Sequence, residues 1–344
     1  MRVSYQQLHS ELIRVLLKIG FTPERADLCA RLFADTDRDG VYTNGLNRFL
    51  RFMAMIASGV VDIDAQPKLE SGAGALERWD GVRGPGNLNA YASMQRAITL
   101  AGENGIGCVA LANTNHWMRG GTYGWQAADA GMIGICWTNT LPNLPPWGAR
   151  EPRLGNNPLV IAVPRSDGHV VLDMSMSQFS YGTLEAYQKR GELLPVFGGF
   201  NQDGELTRDP VAIEATGRPL PIGFWKGSGL SLLLDMMAAL LSGGSATHEI
   251  NANSYQETGL SQTFICFNVN AFRDSAAREL LTNQIIANMK GAAPSGGGEI
   301  RYPGERTLAT RKENMELGIP VEPSVWSELQ KMWCIDFERS LHIS

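Results

Sequence analysis

Apolar residues fall at helical spacing near the start of the chain, and the rhythm then changes to short apolar runs. Tyr5, Leu8, Leu12, Val15, Leu16 and Ile19 recur at intervals of three and four, which places them on one helix face. Ser4 with Gln7 supplies a capping box at the start, and Gly20 a stop. Thr22-Pro23-Glu24 predicts a second helix, because proline at the first helical position gives up an N–H that has no partner there. Ala26, Cys29, Ala30 and Phe33 form its inner face. A third helix is predicted after Asn44, carrying Leu46, Phe49, Leu50, Met53 and Ile56 and ending at Gly59.

Residues 60–67 read as a connector. Beyond them the pattern predicts strands over 68–75, 106–112, 132–138, 158–163, 170–174 and 263–269. Helices are predicted over 88–103, 123–130, 178–189, 228–241 and 273–289. Strands alternating with helices indicate an α/β (mixed α+β) sheet domain. The tail from Arg306 to about Leu329 turns helical again, and 292–298 is a flexible-linker candidate. The expected organisation is a helical part, residues 1–66 plus about 291–344, and a mixed-sheet domain, 67–290. A length of 344 residues suits one large domain with a smaller one.

Composition narrows the function classes. A hydrophobic share of 44% supports a substantial core. The net charge of -5, with no run of Lys or Arg, argues against a nucleic-acid surface, whose affinity comes mostly from phosphate neutralisation. Cys29, Cys108, Cys136, Cys266 and Cys334 are widely spaced, so neither a disulfide framework nor a zinc site is expected, and no metal. No apolar stretch suits a membrane span and no signal-peptide core stands at the start, so the expected address is cytoplasmic.

Four segments carry candidate chemistry. Asn113-Thr114-Asn115-His116-Trp117-Met118-Arg119-Gly120-Gly121 puts an imidazole and a guanidinium where an apolar strand ends, and such loops often carry function. His116 is either a site residue or a helix cap or carbonyl partner; sequence leaves both open. Asn44 and Arg48, four residues apart, share a face if the helix starts at Asn44; otherwise Asn44 is an N-cap and Arg48 a surface charge. Val171-Leu172-Asp173-Met174-Ser175-Met176-Ser177 sets a carboxylate and two hydroxyls at a strand tip, for a ligand or for capping the next helix. Lys226, at the start of an apolar helix, is unfavourable there alone, and favourable beside an anion bound at the same helix end. Gly105-Ile106-Gly107, Gly84-Pro85-Gly86 and Gly227-Ser228-Gly229 each lack the third glycine of the usual dinucleotide fingerprint.

The run from His116 to Ala128, with Gly134 to Asn139, Pro145-Pro146-Trp147-Gly148-Ala149, Asp173-Met174-Ser175-Met176-Ser177 and Trp225-Lys226-Gly227-Ser228-Gly229, resembles the non-Rossmann malate/L-lactate dehydrogenase family. The resemblance runs from Val3 to about Leu329. It implies a helical part with a mixed-sheet domain that binds NADH, or NADPH, outside the Rossmann scheme, and a homodimer with sites near the interface. It also implies reduction of a small 2-oxo or 2,3-dioxo carboxylate. Val170, Val171, Leu172, Asp173, Met174, Ser175, Trp225, Lys226, Gly304 and Glu305 match the family's cofactor contacts, and Arg48 and His116 its substrate pocket. Two departures stand out. The family pattern is Ser-His-Gly, with the His as proton donor, where this chain has Thr43-Asn44-Gly45, and Gly304-Glu305-Arg306 stands where relatives tend to have Gly-His-Glu. An Asn amide can hydrogen-bond a carbonyl but is no acid at neutral pH. Arg48, His116 and Asn44 are therefore the expected catalytic set, with activity altered or reduced. The alternatives are a dinucleotide-binding homodimer without turnover, and a lyase or isomerase in the same pocket.

Overall fold

A computed structural model describes residues 1–271, 274–295 and 298–332. Its first elements are β1 (Arg2–Val3), α1 (Tyr5–Lys18), α2 (Pro23–Arg38) and α3 (Leu46–Ala57). The capping box forms as expected, Ser4 accepting from the Gln7 N–H and Gln7 from the Ser4 N–H. Thr22 caps α2 ahead of Pro23. The inner faces of these helices meet in one core, where Phe33 and Phe49 pack edge to face with ring centres 5.1 Å apart.

The chain continues through β2 (Lys68–Ala73), β3 (Leu76–Asp80), α4 (Gly86–Asn104), β4 (Ile106–Thr114), α5 (Gly121–Asp129), β5 (Ile133–Thr138), β6 (Leu159–Val163) and β7 (Val170–Met174). A small lobe follows: α6 (Tyr181–Arg190), β8 (Gly199–Phe200), β9 (Leu206–Thr207) and α7 (Pro210–Thr216). Next come α8 (Trp225–Ser242), β10 (Leu260–Phe267), α9 (Ser275–Lys290), α10 (Glu305–Leu317), β11 (Ile319–Pro320) and α11 (Pro323–Lys331). The main sheet has seven strands in the order β2-β3-β4-β10-β5-β6-β7. Only β3 and β4 run parallel; every other pair is antiparallel. This is not the doubly wound Rossmann sheet, and it offers no strand–helix turn of that kind for a pyrophosphate.

Both faces of the central strands β4, β10 and β5 are covered, which is why they read as near-continuous apolar runs, whereas the edge strand β2 is exposed along its length. Cys136, Phe264 and Cys266 face α4 and α5. Ile135, Trp137 and Ile265, one residue out of step, face α8. Residues 68–75, expected as one strand, form β2 and the start of a hairpin, because Gly74 turns the chain with φ 61° and β3 then pairs back on β2. The tail is not one helical stretch: Gly318, with φ 85°, ends α10, β11 pairs with β1, and α11 packs on α1 and α3. The expected helix 273–289 is α9, with Arg273 outside the described residues, as are Gly296 and Gly297 of the linker candidate and Cys334. No helix of the described residues is long and apolar enough to cross a membrane.

Candidate active site

His116 lies just past the C-terminal end of β4, on a turn pressed against the start of α4. A Cβ at Gly86 would stand 2.2 Å from the Asn115 carbonyl oxygen and 2.3 Å from that of His116, so only glycine lets α4 approach so closely. The Asn115 amide ties the turn down by donating to the Arg83 and Gly84 carbonyls at 2.7 and 2.9 Å. The Met118 N–H donates to His116 Nδ1 at 3.0 Å. An amide N–H can only donate, so Nδ1 is the acceptor and the neutral ring carries its proton on Nε2. Burial, with Arg48 and Arg51 nearby, holds the imidazole pKa well below its ordinary value. The neutral ring thus ties down the turn through Nδ1 and keeps Nε2–H as its donor.

Arg48 and Arg51 stand three apart on α3, on the same side of the helix. Arg48 Nη2 lies 3.7 Å from Glu257 Oε2 and, among the described residues, makes no side-chain hydrogen bond. Its pKa is lowered to about 10, first by burial and then by Arg51, against the pull of Glu257. Arg51 donates to the Ser254 carbonyl and lies over the Tyr255 ring at 4.9 Å. Arg48 is thus no surface charge.

Asn44 is not the N-cap of α3. It ends a short 3-10 turn, Tyr42–Asn44, and the cap position falls to Gly45 with no side-chain cap bond. The capping acceptor comes from α2 instead: Asp37 Oδ2 accepts the Leu46 N–H at 2.6 Å. A Cβ on Gly45 would meet that carboxylate at 2.1 Å. Asn44 and Arg48 therefore do not lie on one continuous helix as expected; a buried carboxylate fixes the bend between them. Among the described residues the Asn44 side chain makes no hydrogen bond and stays half-buried.

The two distant segments expected to bind cofactor are joined. The Ile222 N–H donates to the Met176 carbonyl at 2.8 Å, and Ser177 pairs with Pro221, so the end of β7 meets the start of α8. Gly304 and Glu305 are brought alongside, the Val171 N–H donating to the Pro303 carbonyl at 2.9 Å. Within this group the residues differ. Val171 is buried under α5, so its side chain belongs to the core. Asp173 accepts the Gly121 N–H at 2.7 Å, capping α5 rather than the helix that follows it. Val170, Leu172, Met174 and Ser175 are half-buried along β7 and its exit. Glu305 pairs with Lys290. Trp225 and Lys226 open α8, whose N-terminus lacks a side-chain cap, and Lys226 makes no ion pair among the described residues. Trp225 is 67% exposed, and beside it Phe224 packs on Trp147 with ring centres 5.1 Å apart, both exposed as well. A bare helix N-terminus, an unpaired lysine and exposed rings together fit a dinucleotide's phosphates and planar rings.

Arg119, singled out with His116, does not enter the pocket. It is 4% exposed and pairs with Asp39 at 2.7 Å. Sequence reasoning missed Glu257, Arg51, Asp37 and Asp39. Arg51 was legible from its spacing to Arg48; Glu257, some two hundred positions away, had no sequence signal.

A family model described as malate/L-lactate dehydrogenase matches residues 3–330. The chain belongs to that family. It is 47% identical to 2,3-diketo-L-gulonate reductase of Escherichia coli K12 over 333 residues, 96% of this chain and all of that one. Its fold is similar to that of sulfolactate dehydrogenase from Methanocaldococcus jannaschii, with TM-score 0.90 and 27% identity over 98% of this chain and 99% of the other. Malate dehydrogenase from Pyrococcus horikoshii OT3 gives 0.88 and 29%, over 100% and 96%. The chain is accordingly an oxidoreductase of the dehydrogenase type, and membership implies a nicotinamide cofactor.

Proposed function

We propose that this family member is an NADH- or NADPH-dependent reductase of a small 2-oxo or 2,3-dioxo carboxylate, of the kind named in its 2,3-diketo-L-gulonate reductase relatives. The observation that carries the reading is that Arg48 and a neutral His116 come together beside Arg51 and Glu257, with the arginines close enough to hold the imidazole neutral. Arg48 holds the substrate carboxylate, the His116 Nε2–H donates to the carbonyl oxygen, and the Asn44 amide adds a second donor. A bound nicotinamide supplies the hydride. Asp173, Met174, Ser175, Trp225 and Lys226, with Val170, Val171, Leu172, Gly304 and Glu305 behind them, form the cofactor groove, Lys226 against the phosphates.

The reading includes a helical part, residues 1–66 plus about 291–344, set against the cofactor domain 67–290. Two apolar cores, one mainly under α1–α3 and one under α4 and α5, support that division, although Leu88 and Met118 of the second part join the first core and Tyr91 packs on both. It also includes a cytoplasmic homodimer.

Following reduced-nicotinamide absorbance with a panel of 2-oxo acids tests the activity. Oxidation of the cofactor that depends on the acid is expected; tight cofactor binding with no turnover of any acid would favour the non-catalytic binder. Lys226→Ala should weaken cofactor binding by roughly tenfold or more, the worth of a charge-assisted hydrogen bond of about 1.5–3 kcal/mol.

A further inference from the structure

The side chains gathered around His116 carry more positive than negative charge. Arg48 and Arg51 come from α3, His116 is a neutral ring, and Glu257 is the acid paired with Arg48 at 3.7 Å. Glu257 is 3% exposed, and its Oε1 also accepts the Leu141 N–H at 3.3 Å, so it is fixed in place. Arg51 Nε is buried without a hydrogen-bond partner, while its Nη2 donates to the Ser254 carbonyl and its plane rests on Tyr255. Two guanidiniums against one carboxylate leave a single surplus positive charge. One anion offsets a partly buried surplus charge of this kind, and a second is left without a partner.

We infer that Glu257 is a specificity-determining residue: by cancelling one of the two arginines it sets the pocket for monoanionic oxo acids and against dianionic ones. This rests on the proposed substrate pocket, and it decides a property that family membership leaves open. The carboxylate of a monoanion completes the charge balance at Arg48. The second carboxylate of a 2-oxo dicarboxylate would meet Glu257 with no further cation to balance it.

The test compares 2-oxopentanoate with 2-oxoglutarate, equal in chain length and different by one charge. Binding is measured by calorimetry on the full-length protein with a saturating tetrahydro analogue of the reduced cofactor, whose ring is uncharged and cannot give up a hydride, so that no turnover occurs. The natural protein should bind 2-oxopentanoate at least tenfold tighter. Glu257→Gln keeps an oxygen for the Leu141 N–H but removes the charge, and should shift the preference at least tenfold toward 2-oxoglutarate. Glu257→Asp, which keeps the charge, should retain the original preference. A natural protein that binds 2-oxoglutarate as tightly as 2-oxopentanoate would overturn the inference, whatever the fate of the variants. So would a folded Glu257→Gln protein with an unchanged ratio. Selective binding without any oxidation of reduced cofactor would sink the reductase reading and leave this one standing.

Discussion

At the scale of single residues, the site turns on a proton. Reduction of a carbonyl leaves an alkoxide that must be protonated, and general acid catalysis is typically worth about 10²–10⁴ in rate. His116 is committed as a neutral donor by the Met118 N–H at Nδ1; to become cationic it would need a proton where that bond stands. Asn44 is no acid. The natural protein should therefore show a flat turnover profile through neutral pH from these residues. Asn44→His should raise turnover on 2-oxo acids by about 10²-fold or more, with a smaller change in KM. Only the protonated ring donates, so the gain should be largest below the new histidine's pKa, near about 6.5 if unperturbed, and fade above it. Measured kcat against pH for both proteins checks this; a variant slower than the natural protein on its best substrate would mean that Asn44 is adapted to other chemistry.

At the scale of elements, Asp39 just past α2 is a hub. Its carboxylate takes Arg119 at 2.7 Å, Arg311 from α10 at 2.7 and 2.8 Å, and Arg38 at 2.9 Å. These pairs bind α2, the His116 turn and α10 to one another. Burial alone would raise the Asp39 pKa; hydrogen bonding from Arg311 and the charges of Arg119 and Arg38 outweigh it and hold the carboxyl well below the usual range. Removing one partner of such a buried set costs about 3–5 kcal/mol. Asp39→Asn should lose about that much at neutral pH in urea unfolding. Because the folded carboxyl lies below its unfolded value of about 3.9, the stabilisation is complete above that pH. It is lost as pH falls toward the folded pKa, so the gap between variant and natural protein should narrow in acid. Equal urea midpoints at pH 7 would show that the hub does not stabilise the fold.

At the scale of the whole molecule, α8 presents Leu232, Leu233, Met236, Met237 and Leu240 to solvent, Leu240 at 75% exposure. These residues recur on one helix face beside the proposed cofactor groove, and so large an apolar stripe on an isolated chain marks an interaction surface. A homodimer covering this stripe should bury on the order of 2,000 Å² or more, as obligate pairs do. Sedimentation at micromolar concentration should give twice the chain mass; a stable monomer that binds cofactor would contradict it.

Much of this was legible in the sequence. The capping box at Ser4, the proline start of α2 and the strand Val170–Met174 are local matters, decided by neighbours within a few residues. The segments proposed to hold cofactor, and Arg48 with His116, were named from motif resemblance, and the fold brings the members of each set close together. What sequence could not supply depends on partners far along the chain. A helical pattern around Asn44 could not reveal that Asp37 would cap α3 and bend the chain before it. The pattern at His116 could not fix its tautomer, which a single backbone N–H decides. Glu257 reaches Arg48 only because the loop before β10 folds over α3, and the charge of the pocket is a sum over elements that no local window contains. Periodicity records which face of an element is buried; only the packed chain determines which charges share that burial.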